Sequence, residues 1–348
     1  MHDALVALLN RERVDAPGWR SFWEQLEGGQ LERGEAVALL ASLSTQLPDH
    51  DTLSCLLSSL DERRPPVTVQ YPGAVNIVGT GGGPSTFNIS TAAAFVAATL
   101  GATVVKSGSR AYTSSCGSID LLERLGIPLS KSYEHTGELL EQFRLAFAGY
   151  FVYPKELTLL GRNILPLGLR PFGRFFNSVG PFLAALPVSA QVTGVSGDSL
   201  LPHLRGLASN IRDRTVWLCV NAIGADELVS FADNVIYTNS GGGGEIRLSA
   251  RQLGADAGTI GDLRPADNAT LVVAHFLDAV SGRGGPVASR TISLNAAAMV
   301  VASGLTDDWT AAVTAASEVI ESGAALDLIN RMRSPAKREA SLSKAGTP

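Results

Sequence analysis

The sequence predicts an α/β protein: a small helical N-terminal domain, then a larger domain on a mainly parallel sheet. Three observations carry this. Residues 1–64 hold apolar residues at helical spacing, from Leu5, Leu8 and Leu9 to Leu53, Leu56, Leu57 and Leu60, with no strand-like alternation. Arg63-Arg64-Pro65-Pro66 then stops the helices and reads as a linker. Beyond it, short β-prone runs alternate with helical ones, the pattern of a parallel sheet with crossover helices. A chain of 348 residues, at roughly 100–200 per domain, is long enough for two. The expected division is 1–66 helical, joined by part of 156–186, then 67–333 α/β and 334–348 a flexible tail.

The elements follow in order. Phe22, Trp23 and Leu26, then Val37, Leu40 and Leu43, continue the helical spacing. Val67–Tyr71 and Ala74–Val78 read as β segments, Ser90–Leu100 as an Ala-rich helix and Ala102–Lys106 as a β-branched run. Ser118–Leu125 is helical and closes at Gly126. Residues 156–186 mix Pro, Gly and aromatics and read as irregular helix. The alternation resumes through Ala190–Val195, Leu201–Ala208 and Thr215–Asn221. Thr238–Leu248 reads as a hairpin around Gly241–Gly244. Ser293–Ala302 and Thr310–Ser322 are the last helices expected.

Composition excludes several classes. A net charge of −5 argues against a nucleic-acid binder. No run of about 20 apolar residues predicts a membrane span. Cys55, Cys116 and Cys219 suit neither a disulfide framework nor a metal site, which points to a reducing, cytoplasmic setting. Asp3 and the lack of a small-residue cleavage site argue against a signal peptide.

Three segments carry chemistry. Val78–Thr91 runs from a strand through Gly79-Thr80-Gly81-Gly82-Gly83 into a helix that starts with Asn88, Ser90 and Thr91. Glycines let backbone amides approach an anion, and a helix N-terminus favours negative charge. The same segment also reads as an N-capped turn. Lys106-Ser107-Gly108-Ser109-Arg110 ends another strand, and Ser114 with the amides near Gly117 offers a second cradle. Alone this is also a solvated loop. Asp226-Glu227 follows an apolar run and reads either as a solvated acidic pair or as carboxylate ligands for Mg²⁺. Together the segments favour a polyphosphate substrate with magnesium.

These residues, with Asn177–Pro181 and Leu294–Ala298, resemble the motif set of the anthranilate phosphoribosyltransferases, in order from about residue 20 to 330. The resemblance implies an active site in a cleft between a helical and an α/β domain, and a homodimer through the helical domain. It also implies transfer of the phosphoribosyl group of phosphoribosyl pyrophosphate (PRPP) with inversion at C1. Carried over, Gly79, Thr80, Gly81 and Gly82 would hold pyrophosphate, and Asn88, Ser90, Thr91 and Lys106 the phosphoribosyl end. Ser114 would lie in the second cradle. Ser90, Asp226 and Glu227 would hold magnesium.

The acceptor half departs from the family. Its Lys-His-Gly-Asn-Arg stands here as Lys106-Ser107-Gly108-Ser109-Arg110, and its Gly-Thr-Gly-Gly-Asp-Gly has lost the aspartate. Ser107 and Ser109 therefore mark the acceptor side. Arg170, with Arg174 behind it, is the candidate for an acceptor carboxylate. No histidine of the five falls in a motif, so a general base is not identified; His2 and His50 are expected on the surface. The altered half points to an acceptor other than anthranilate, such as an aminocyclitol amine or hydroxyl. The alternatives are anthranilate itself, a nucleoside phosphorylase-like reaction and a non-catalytic PRPP binder.

Overall fold

A computed structural model of the protein describes residues 1–110, 116–251, 257–266, 268 and 270–334. Four helices open the chain: α1 (Asp3–Leu9), α2 (Ala16–Glu27), α3 (Arg33–Thr45) and α4 (His50–Asp61). Side chains satisfy the free amides of their first turns. Asp15 accepts from Gly18 N, and Asp49 from Thr52 N. His2 does this for α1, its Nδ1 accepting from Ala4 N at 3.1 Å. Its expected surface position is therefore wrong: His2 is buried, edge-on to Phe22.

The two β segments expected at 67–78 form a single strand, β1 (Tyr71–Gly79), and Val67–Gln70 is not strand. Pro72 donates no amide hydrogen and Gly73 has φ +74°, which gives the register shift between Tyr71 and Val75. The other described strands are β2 (Thr103–Lys106), β3 (Leu145–Phe147), β4 (Val188–Gly194), β5 (Thr215–Asn221), β6 (Asn234–Thr238) and β7 (Gly244–Leu248). They form one sheet in the order β3-β2-β1-β4-β5-β6-β7. Pairing is parallel from β3 to β5 and antiparallel through the expected hairpin of β6 and β7.

Alternation along β5 shows how the sheet is covered. Trp217 and Cys219 join a core with α5 (Ile89–Thr99) and α12 (Pro286–Ala302). Small side chains, Ala93, Ala94 and Ala97 against Ala296–Ala298, let those helices lie close. Val216 and Leu218 face the other way. They join a core that holds α1 to α4 with α8 (Lys155–Asn163), α9 (Gly173–Leu183) and α10 (Leu201–Asn210). The remaining α-helices among the described residues are α6 (Ser118–Leu125), α7 (Tyr133–Phe143), α11 (Val272–Val280), α13 (Trp309–Glu321) and α14 (Ala324–Met332).

Two helical expectations need correction. α12 begins at Pro286, ahead of the expected Ser293, because Gly285 has φ +92° and Pro286 suits a first helical turn. α14 was not expected; it starts after Gly323, which turns the chain at φ +76°. Among the described residues no helix is long and apolar enough to cross a membrane.

Candidate active site

β1 and β4 are neighbours, yet the chain leaves β1 toward β2 and leaves β4 toward β5. The strand order reverses here, so a crevice opens beyond the carboxyl ends. β1 ends at Gly79 and β4 at Gly194, and the two are partners in register. Both must be glycine. A Cβ on Gly194 would lie 1.7 Å from the backbone oxygen of Asp226, and one on Gly79 2.2 Å from its Oδ2. Asp226 thus rests directly across two strand ends.

The Gly-rich loop folds onto the acidic pair. Gly81 and Gly82 have φ of +60° and +82°, which suits glycine alone among ordinary choices. Gly81 N–H donates to Asp226 Oδ2 at 2.7 Å, and the Thr86 hydroxyl donates to Glu227 Oε1 at 2.8 Å. Glu227 Oε2 is buried with no hydrogen-bond partner. Burial pushes both carboxyl groups above the usual range, Glu227 further because the Asp226 charge adds to it. Two adjacent carboxylates with an orphaned oxygen fit a hard cation that takes oxygen ligands and keeps water or phosphate in its other positions.

Lys106 ends β2 and is 4% exposed. Its Nζ donates to Ile77 O at 2.9 Å, which uses one of three donors. Burial pulls its ammonium down to about 8, while Asp226 and Glu227 hold it up. Ser107 is also buried: Asn76 Oδ1 accepts from its amide at 3.1 Å.

These groups face one cleft of about 760 Å³, ample for a nucleotide-sized ligand. Gly79, Gly81, Gly82, Asn88, Ser90, Lys106, Ser107, Ser109, Arg170, Asp226 and Glu227 all line it. Arg170 is exposed on a 3-10 turn at its edge, and Arg174 is not among the lining residues. No histidine lines it among the described residues.

Two expected ligands are placed elsewhere. Thr80 is buried, and its hydroxyl accepts from Ser196 N at 3.0 Å, so it fastens the loop to the β4 end. Thr91 is fully buried in the first turn of α5 and does not line the cleft. Asn88 stands at the N-cap but does not cap; its Nδ2 donates to Cys116 O at 3.4 Å. One amide of the second cradle is already used. Gly117 N donates to Asp120 Oδ2 at 3.0 Å, and Arg110 pairs with Asp120 and Glu123. Ser114 lies outside the described residues. Cys116 is buried at the cleft, and burial pushes its thiol up, away from a reactive thiolate.

Gly194 and Ser196 escaped the sequence reading. The run Thr193-Gly-Val-Ser-Gly197 after a strand, a weaker copy of the first loop, is the signal that would find them.

Comparison with known proteins gives the family. The family model described as glycosyl transferase family, a/b domain, matches residues 71–326. Anthranilate phosphoribosyltransferase of Methylorubrum extorquens is 32% identical over 341 residues, 95% of this chain and 96% of that protein. The chain belongs to the anthranilate phosphoribosyltransferase family. Membership makes it a phosphoribosyltransferase, as the motif resemblance implies. The enzyme of that name from Cenarchaeum symbiosum is 31% identical, over 92% of this chain and 90% of its own. Among solved structures, anthranilate phosphoribosyltransferase of Thermus thermophilus superposes with a TM-score of 0.76 at 27% identity, covering 95% and 98% of the two chains. The Saccharomyces cerevisiae enzyme in complex with PRPP and Mg shares the fold, with a TM-score of 0.72 at 19% identity over 93% and 92%.

Proposed function

We propose that the protein transfers the 5-phosphoribosyl group of PRPP to anthranilate, with Mg²⁺, releasing pyrophosphate and inverting C1. The observation that carries the donor half is the convergence of the glycine turn pinned to Asp226, the orphaned Glu227 carboxylate and the Lys106 ammonium in one switch-point cleft. Anthranilate is favoured by relatives of that name that align with nearly the whole chain.

In this reading the Gly82 amide takes the pyrophosphate end, the Gly81 amide being held by Asp226, while Lys106 and Ser90 take the phosphoribosyl end. Asp226 and Glu227, with Ser90, would hold magnesium, which supplies charge stabilisation for the departing pyrophosphate. Arg170 at the edge suits an acceptor carboxylate. Fixing both substrates in one cleft supplies orientation. The sugar centre is already cationic as the C1–O bond breaks, so the amine proton need leave only after attack.

Lys106→Ala should weaken PRPP about ten- to a hundredfold, the worth of a charge-assisted contact. The ammonium is also the form that binds phosphate. PRPP affinity should thus hold between about pH 7, where the phosphates are ionised, and the Lys106 value of about 8, and fall as pH rises through it, with proton uptake on binding above it. Calorimetry in two buffers of different ionisation enthalpy measures both. A pH slope that persists in Lys106→Ala would refute the assignment.

The acceptor is tested by pyrophosphate release with PRPP against anthranilate, other aminobenzoates and aminocyclitols. Anthranilate is expected to give the highest kcat/KM. One observation favours a second reading: Ser107 and Ser109, both at the cleft, offer short neutral hydroxyls where the family motif has imidazole and amide. An aminocyclitol that outpaces anthranilate would establish that reading.

A further inference from the structure

The linker arginines, expected only to end the helices, reach the cleft wall. Arg64 follows α4, and its guanidinium spans two carbonyls. Nη1 donates to Val152 O at 2.9 Å, and Nη2 donates to Leu183 O. Val152 lies in a 3-10 turn just before α8 and Leu183 ends α9; both stretches give residues to the cleft wall, among them Tyr153, Leu157, Phe176 and Leu183. Arg63 donates from Nε to Glu156 Oε1 at 2.8 Å and also pairs with Glu27 of α2. Glu156 is 1% exposed and adjoins Leu157, a lining residue. Two consecutive side chains therefore tie α2, α8 and α9 together at one point.

Burial sharpens the requirement. Arg64 is largely buried, and desolvation pulls its pKa down despite the charge of Asp61. A planar fork on two acceptors fixes the distance between them, which the point charge of a lysine does not. The groups read as PRPP and magnesium ligands sit on the loops after β1 and β5, at the end of β2 and in the first turn of α5, and Arg64 touches none of them.

We propose that Arg64, backed by the Arg63–Glu156 pair, is a positioning residue for the acceptor. It sets the α8–α9 wall against the phosphate-binding strand ends without touching either substrate. The proposal rests on the reading of this cleft as the PRPP and acceptor site.

The test is Arg64→Lys, which keeps the charge and loses the fork. The anthranilate KM should rise about tenfold as the wall that meets the acceptor shifts, while the PRPP dissociation constant stays within about twofold. Amide hydrogen exchange should quicken at 150–161 and 173–183 and stay unchanged along β1. An unchanged anthranilate KM, or exchange that rises equally in β1, would overturn the proposal, the latter marking a general staple. If the wild type releases no pyrophosphate with anthranilate, the functional reading fails, and exchange alone judges Arg64. Should Arg64→Lys not fold, Glu156→Gln removes the charge opposite Arg63 at constant shape. It must then give the same exchange pattern in milder form, and its failure to do so counts against the proposal.

Discussion

The Asp226→Asn, Glu227→Gln double variant is expected to lose at least about a thousandfold in kcat, roughly 4 kcal/mol of transition-state stabilisation. In metal-free buffer it should also melt a few degrees above the wild type. The two effects have one origin. Asn keeps an oxygen for Gly81 N–H, and Gln keeps one for the Thr86 hydroxyl, so the loop contacts survive. What disappears is a pair of adjacent carboxylates whose charge burial opposes, while the buried Lys106 that they support, with a value of only about 8, can shed its proton once they are gone. A metal would compensate for that cost; the free protein bears it. Turnover by magnesium titration and melting by calorimetry check the pair of signs. Turnover above half the native value would sink the metal assignment, and a lower melting point would show that the carboxylates are structural.

Gly194→Ala should be nearly as damaging, for a steric reason. Its Cβ would meet the Asp226 backbone oxygen at 1.7 Å and its carbonyl carbon at 2.3 Å. Backbone atoms cannot swing aside as the tip of a side chain can, so either β4 or the Asp226 loop must move. We expect a loss of about 3 kcal/mol in urea unfolding, the upper end for overpacking, and turnover below about a hundredth of native. Gly73→Ala offers a contrast, since nothing lies within 4 Å of its added Cβ and only its φ of +74° opposes it. Equal stability losses in the two variants would discredit the steric argument.

Sites built from consecutive residues are legible in the sequence. Gly79–Gly82 and Lys106–Arg110 each sit at a strand end, and a phosphate cradle is a local object. Gly194 is not legible, because its need for glycine comes from Asp226, which only the fold brings beside it. Thr80 misleads for the same reason: its hydroxyl belongs to Ser196, over a hundred residues away in sequence. The parallel sheet follows from alternation, whereas three-residue β3 is too short to show a period. His2 looks like a surface residue by type, and only the Phe22 ring makes it a buried cap. The acceptor side is the least legible. A substitution such as Ser107 names what is missing, and the shape that replaces it depends on Asn76, one strand away.

The interior place of β1 in the sheet has a consequence for how the chain acquires its structure. Its neighbour β4 begins roughly 110 residues after β1 ends. At a synthesis rate of about 5–20 residues per second, β1 waits roughly 5–20 s on the ribosome with one edge unpaired. That edge runs through Val75 and Ile77, which are apolar and β-prone, so this interval is when the nascent chain is most exposed to wrong pairing. Long-range parallel pairing also closes slowly. The Gly79–Gly194 floor under Asp226 is therefore among the last features to form, and a chain stalled before residue 194 would carry a glycine loop without the Ser196 and Asp226 contacts that fasten it.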